Sequence, residues 1–167
     1  MIRSVYGQRI ALASALVAAT MALSGCSLLG NIVAGSGGGT STDTAEGTDT
    51  DVFTIGVGDC LNDGSAEGEV STVKTVPCGE PHDSEAYASI IMDDESFPGV
   101  QAVQDRAEVE CTAEFSAFVG LDYQSSAYNF SYYYPTESSW GQGDREILCL
   151  IVDPAGKTTG SLQGIAG

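Results

Sequence analysis

The sequence predicts an α+β domain in which one long helix packs on a mostly antiparallel sheet held by two disulfides. Three observations support this: one strongly periodic helical segment, several short strand-like runs separated by turn residues, and an even set of cysteines in a chain that begins with an export signal.

The helix is expected over 98–120. Val100, Val103, Ala107, Cys111, Phe115 and Phe118 recur at spacings of three and four and form one apolar stripe. Pro98 suits a first turn, and Gly120 suits the position just past the end. Strands are expected at 53–61, which turns at Gly58-Asp59, at 68–78, where Val70, Thr72, Lys74 and Val76 alternate with Ser71, Val73 and Thr75, and at 84–92. Another is expected at 127–135, where Tyr128, Phe130, Tyr132 and Tyr134 share a face by the period of two. The run 145–154 is apolar on both faces, as a central covered strand must be. Asp153-Pro154-Ala155-Gly156-Lys157 is a turn signal, and 158–162 is expected to close a hairpin.

The N-terminus sets the compartment. Arg3 and Arg9 precede an apolar run from Ile10 to Leu23. That run is too short for a hydrocarbon core requiring about 20 residues, and with small residues after it the pattern is that of an export signal. Leu23-Ser24-Gly25-Cys26 resembles a bacterial lipobox. This makes residues 1–25 a lipoprotein signal peptide and Cys26 the lipidated first residue of the mature chain, with palmitate among its acyl groups. Two or three acyl chains at about 0.8 kcal/mol per buried CH₂ suffice for stable anchoring. The expected address is the cell membrane, lipid-anchored on its extracytoplasmic face. Residues 26–51, rich in Gly, Ser, Thr and Asp, bury too little surface to offset chain entropy and are read as a flexible tether. Its reach is on the order of 28 Å r.m.s.. Residues 52–167 then form the folded domain.

Charge excludes a class of partner. The chain carries 6 basic and 23 acidic residues, a formal net charge of −17. Removing residues 1–25 takes two bases and no acid, which leaves −19. Such a chain does not bind nucleic acid by neutralising phosphates. Its partners are expected to be the membrane, through the anchor, and an envelope protein or cell-wall component that is cationic, neutral or bridged by divalent cations.

After Cys26 four cysteines remain, and in an exported chain they read as disulfides with three possible pairings. The favoured one joins Cys60 to Cys78, near the ends of two neighbouring strands, and Cys111 to Cys149, from the helix stripe to the central strand. With Cys78 oxidised, Cys78-Gly79-Glu80-Pro81-His82 has no thiolate to act as a nucleophile and too few ligands for zinc. His82, the only histidine, is therefore read as a turn residue at a strand start, hydrogen-bonded to a nearby carbonyl or acid, with a binding role as the alternative. No catalytic set, metal site or cofactor site is expected.

Val57-Gly58-Asp59-Cys60-Leu61, Val76 to Ala88, Phe97-Pro98-Gly99, Cys111 with Phe115, and Pro135 to Leu150 occur in an order that resembles the septum-formation domain of actinobacterial envelope proteins. The resemblance covers nearly the whole domain. It implies an exported or membrane-tethered module linked to septation, and it supplies no chemistry.

The best candidate binding surface is the stretch from Tyr132 to Arg145, with Tyr134, Trp140, Asp144 and Arg145 as its main residues and His82 as an outlying member. Tyr and Trp supply stiff contact area. The competing expectation is that Trp140 caps the core and that Asp144 or another acid pairs with Arg145. Asp93-Asp94-Glu95-Ser96 is expected to cap the helix. The function expected is a non-enzymatic binding module of the cell envelope, linked to septum formation or cell-wall growth. The alternatives are a cell-wall hydrolase with paired carboxylates and a structural accessory domain of an envelope assembly.

Overall fold

The computed structural model describes residues 47–66 and 68–165. The signal peptide, Cys26 and most of the tether lie outside the described residues. Among those described, no helix is long and apolar enough to cross a membrane.

Six strands form one antiparallel sheet: β1 (Thr48–Asp51), β2 (Cys60–Asn62), β3 (Thr72–Val76), β4 (Ser84–Ile91), β5 (Asn129–Tyr133) and β6 (Glu146–Val152), in the order β1-β3-β2-β4-β6-β5. Helix α1 spans Val100–Val119, and a single turn, α2, spans Glu137–Trp140. The α+β class, the long helix and the antiparallel sheet are as the sequence predicts.

β6 organises the interior because both its faces are covered. Ile147, Cys149 and Ile151 face α1, where Val103, Ala107, Cys111, Phe115, Phe118 and Val119 bury the predicted stripe. Val100, assigned to that stripe, is 42 % exposed because it begins the first turn. On the opposite face Leu148 and Leu150 meet Ile55, Leu61, Val73 and Ala86, with Val52, Val70 and Tyr133 at the margin. A bulge in β4 at Tyr87, between the pairs Ala86–Leu150 and Ala88–Cys149, lets Tyr87 and Ala88 both join the helix-side core. The Tyr87 hydroxyl donates to the Cys111 carbonyl at 2.7 Å.

Both favoured disulfides are present, Cys60–Cys78 and Cys111–Cys149, closing loops of 18 and 38 residues. The second ties α1 to β6 inside the helix-side core.

Several boundaries differ from expectation. β1 lies within the stretch read as tether. Thr48–Asp51 pairs with Thr72–Thr75, supported by Thr50–Thr75 hydroxyl contact at 2.7 Å and by a Lys74–Asp49 ion pair at 3.0 Å. Composition alone reads Thr-Asp-Thr-Asp as solvated chain, and only cross-strand pairing makes it a strand. Phe53 lies in a 3₁₀ turn (Val52–Thr54) capped by Asp51 rather than in a strand. The helix start is not capped by the acids at 93–96. Gly99 occupies the cap position at φ 96°, and Asp93 and Asp94 instead lie 3.6 and 3.8 Å from the Arg106 guanidinium. Gly120, at φ 85°, ends α1 in the left-handed conformation that glycine alone adopts freely.

Among the described residues, 153–165 form no hairpin with β6 and instead cross the molecule as a strap. Thr158 bridges His82, Gly160 N–H donates to the Cys78 carbonyl, and Gly164 N–H donates to the Phe118 carbonyl. Leu162 is buried in the helix-side core.

Candidate functional site

His82 lies immediately before β4 and is completely buried. Its backbone exchanges hydrogen bonds with Thr158, at 3.0 and 2.9 Å. Nδ1 is 2.8 Å from the Glu80 carbonyl, which can only accept, so Nδ1 carries a proton. Nε2 is 3.0 Å from the Thr158 hydroxyl, which donates to it in the neutral ring. Every polar atom of this histidine is used to join the β3–β4 turn to the strap, and none is presented to a ligand.

Trp140 and Arg145 form a second unit. Thr136 caps α2 through a reciprocal pair with Ser139, bringing Trp140 inward. The indole is 5 % exposed, with the Phe97 ring 5.6 Å away on edge and the Arg145 guanidinium 3.9 Å from its centroid. Its Nε1–H has no acceptor among the described residues. Trp140 is therefore a packing element and not a displayed aromatic. Arg145 also departs from the expected acid pairing. It donates to the carbonyls of Trp140 (2.8 Å) and Asp144 (2.7 Å), while the Asp144 carboxylate accepts from the Ser139 hydroxyl (2.8 Å) and the Glu146 N–H (3.1 Å). The Trp140 carbonyl also accepts from the Gly143 N–H at 3.0 Å, and Asp144 lies beyond α2, so the guanidinium fastens the turn that follows α2. Among the described residues, Lys74, Arg106 and Lys157 all make ion pairs, and Arg145 does not.

The two units do not form one site. In the β4–β6 ladder Ser84 pairs with Val152 and Ile91 with Glu146. His82 and Arg145 thus flank opposite ends, separated by about seven rungs or ~23 Å.

The concave feature that the predicted residues do touch lies on the face away from α1. It is a cleft of ≈ 60 Å³ whose apolar lining comes from Val52, Phe53, Val70, Tyr133 and Leu148. Glu69, Asp144 and Glu146 line it with carboxylates, Thr136 and Ser139 add hydroxyls, and among the described residues no basic one lines it. Tyr134 and Asp144 contribute to this lining; Trp140, Arg145 and His82 lie outside it. Phe53, 59 % exposed, stands at its edge. The Tyr133 hydroxyl donates to Asp63 at 2.8 Å, and Asp63 also accepts from Ser84 at 2.7 Å. Burial, followed by that carboxylate, holds the Tyr133 phenol protonated well above its ordinary range. This floor is fixed, neutral and aromatic, while the lining is anionic. Such a cleft suits a cationic or neutral group and disfavours an anion.

Sequence reasoning missed Val52, Phe53, Glu69 and Val70 as lining residues. No local pattern marks them, because the cleft is assembled by irregular segments folding over β6. It also missed Glu85, which is 2 % exposed and accepts from the Ser161 hydroxyl (2.6 Å) and the Leu162 N–H (2.7 Å) of the strap. A Glu85 carboxylate oxygen and the sulfurs of Cys60 and Cys78 lie within 4.8 Å of one another. With the sulfurs bonded to each other, the trio offers no pair of thiolates to a cation.

The sequence profile of a family described as septum formation matches residues 33–166. The chain matches no curated protein and no solved structure.

Proposed function

The chain belongs to the septum-formation family, and on that premise we propose that it is a lipid-anchored, non-enzymatic binding module on the extracytoplasmic face of the cell membrane, engaging an envelope protein or cell-wall component during septum formation. The observation that carries the binding role is the cleft beside β6, with its aromatic floor, three lining carboxylates and no lining base. A lysine- or arginine-bearing segment, or an uncharged polymer, meets no repulsion there. The anchor reading is supported by Cys26, which follows the apolar run and the small residues Ser24 and Gly25. The two disulfides agree with an oxidising compartment.

Two measurements test the reading. Cys26→Ala is expected to move the protein from the membrane fraction to the medium and to abolish labelling by a palmitate analogue; a variant that stays membrane-bound overturns the anchor. A photo-crosslinking residue at Phe53, on the edge of the cleft, is expected to capture one defined envelope component from intact cells, and Glu69→Lys is expected to weaken that capture at least tenfold. Crosslinks to lipid alone overturn the binding role.

A further inference from the structure

The two disulfides occupy different environments. Cys111 and Cys149 are both fully buried between α1 and β6. In the other bridge Cys60 is 1 % exposed, whereas Cys78 is only half-buried, with its sulfur at the surface 3.4 Å from the Gly58 carbonyl. Beside this bridge lies Glu85, the one buried acid among the described residues. Cys60 and Glu85 are direct cross-strand partners in the β2–β4 ladder, so their side chains leave the sheet on the same face. The hydrogen-bond partners of Glu85 are a hydroxyl and an amide, with no cation. Burying a carboxylate without a counter-charge is unfavourable, and anchoring the strap needs only a neutral acceptor. A carboxylate adds the capacity to take up a proton within reach of the sulfurs.

We propose that Cys60–Cys78 is a thiol–disulfide exchange site that oxidises a dithiol in a protein or peptide sharing its compartment, with Cys78 as the attacked sulfur and Glu85 as the proton carrier for Cys60. The partner's thiolate attacks Cys78 Sγ. The S–S bond breaks, and Cys60 leaves as a thiolate and takes up a proton that Glu85 relays from solvent. The partner's second thiolate then displaces Cys78 from the mixed disulfide, and Cys78 leaves as a thiolate that is protonated from solvent. Two electrons pass from the partner, which becomes a disulfide, to the chain, which becomes a dithiol. In reverse, Cys60 gives its proton to the Glu85 carboxylate and attacks Cys78 Sγ, releasing the partner. Only the half-buried sulfur is open to a macromolecular thiol. Cys111–Cys149 has no exposed sulfur and acts as a strut.

The test uses the full folded chain with dithiothreitol and glutathione as probes. Without denaturant, submillimolar dithiothreitol followed by differential alkylation and mass spectrometry is expected to label Cys60 and Cys78 at least tenfold faster than Cys111 and Cys149. Opening of both bridges together, at the rate of global unfolding, overturns the proposal. Incubated with oxidised glutathione, Cys60→Ser is expected to exchange its free Cys78 thiolate into a Cys78–glutathione mixed disulfide, releasing one reduced glutathione, whereas Cys78→Ser leaves Cys60 at least tenfold less reactive; equal trapping by the two variants overturns the assignment of the attacked sulfur. Glu85→Gln keeps an acceptor for the Leu162 N–H and so holds the strap. It is expected to lengthen the life of the glutathione mixed disulfide about tenfold and to change the pH profile of its resolution, while Cys111–Cys149 stays protected. An unchanged profile makes Glu85 a strap anchor only and overturns its proton role.

Discussion

The two faces of β6 are covered by different means. Toward α1, Ile147, Cys149 and Ile151 meet a regular helix whose stripe repeats every three or four residues and is fastened by a disulfide. Toward the cleft, Leu148 and Leu150 cluster with Ile55, Leu61, Val73 and Ala86, with Val52 of a 3₁₀ turn and Val70 of an irregular loop at the margin. The regular cover seals its face completely. The irregular cover leaves a gap, and the gap is lined with acids. In this fold the helix side supplies stability, and the opposite side offers a place for a ligand.

The largest test of that contrast is alkaline pH, because buried phenols lie on both faces. Burial, then neighbouring charges, pushes the Tyr87 hydroxyl on the helix side and the Tyr133 hydroxyl on the cleft side well above their ordinary range. Burial and the Glu108 carboxylate push the Tyr132 hydroxyl up to about 12. A raised pKa in the folded state means the fold holds the proton more tightly than the unfolded chain. The stabilisation is complete below the ordinary tyrosine value of about 10 and is lost as pH rises through 12 and beyond. Absorbance at 295 nm and near-UV circular dichroism are expected to change together in one cooperative transition. Ionisation of Tyr133 with the dichroism intact would show that the cleft side opens independently.

Substitutions sharpen the comparison in decreasing steps. Phe115→Ala, on the sealed side, removes a fully buried ring and is expected to destabilise by about 4 kcal/mol. Leu150→Ala, on the cleft side, is expected to destabilise by about 3 kcal/mol, because looser loops relax into some of the space. Urea unfolding measures both, and a larger loss for Leu150→Ala reverses the ranking of the two faces. Thr136→Ala removes the α2 cap, at about 1 kcal/mol, and loosens Ser139 and Asp144 at the cleft. Its effect on crosslinking at Phe53 is expected to exceed its effect on melting temperature.

How legible each region is in the sequence follows the same division. The helix stripe, the doubly apolar β6 and the aromatic face of Phe130, Tyr132 and Tyr134 are readable because a repeating backbone turns spacing into direction. The disulfide pairing follows from them, since Cys111 lies on the stripe and Cys149 on the strand beneath it. The family resemblance was also legible, and the profile match bears it out. β1 was not, because Thr48–Asp51 has the composition of a tether and becomes strand only against β3. The buried place of Trp140 is only half legible, since a short run between proline and glycine reads equally as a core cap and as a displayed loop. Charge alone points Arg145 to a carboxylate, whereas its position in the turn after α2 directs it to the carbonyls of Trp140 and Asp144. The cleft was invisible, since its lining joins positions 52 to 148 through contacts that no local spacing encodes.

The edge strand β1 has a mechanical consequence. A pull entering through the residues before Thr48 meets only four rungs against β3, the outermost of the sheet. These rungs give way in turn, and peeling proceeds past Ile55 until the tension reaches Cys60. There it crosses the covalent bond to Cys78 and bypasses the intervening segment. Load on this path is therefore carried past residues 61–77 by a covalent bond, so the β2–β3 rungs inside that loop are spared it.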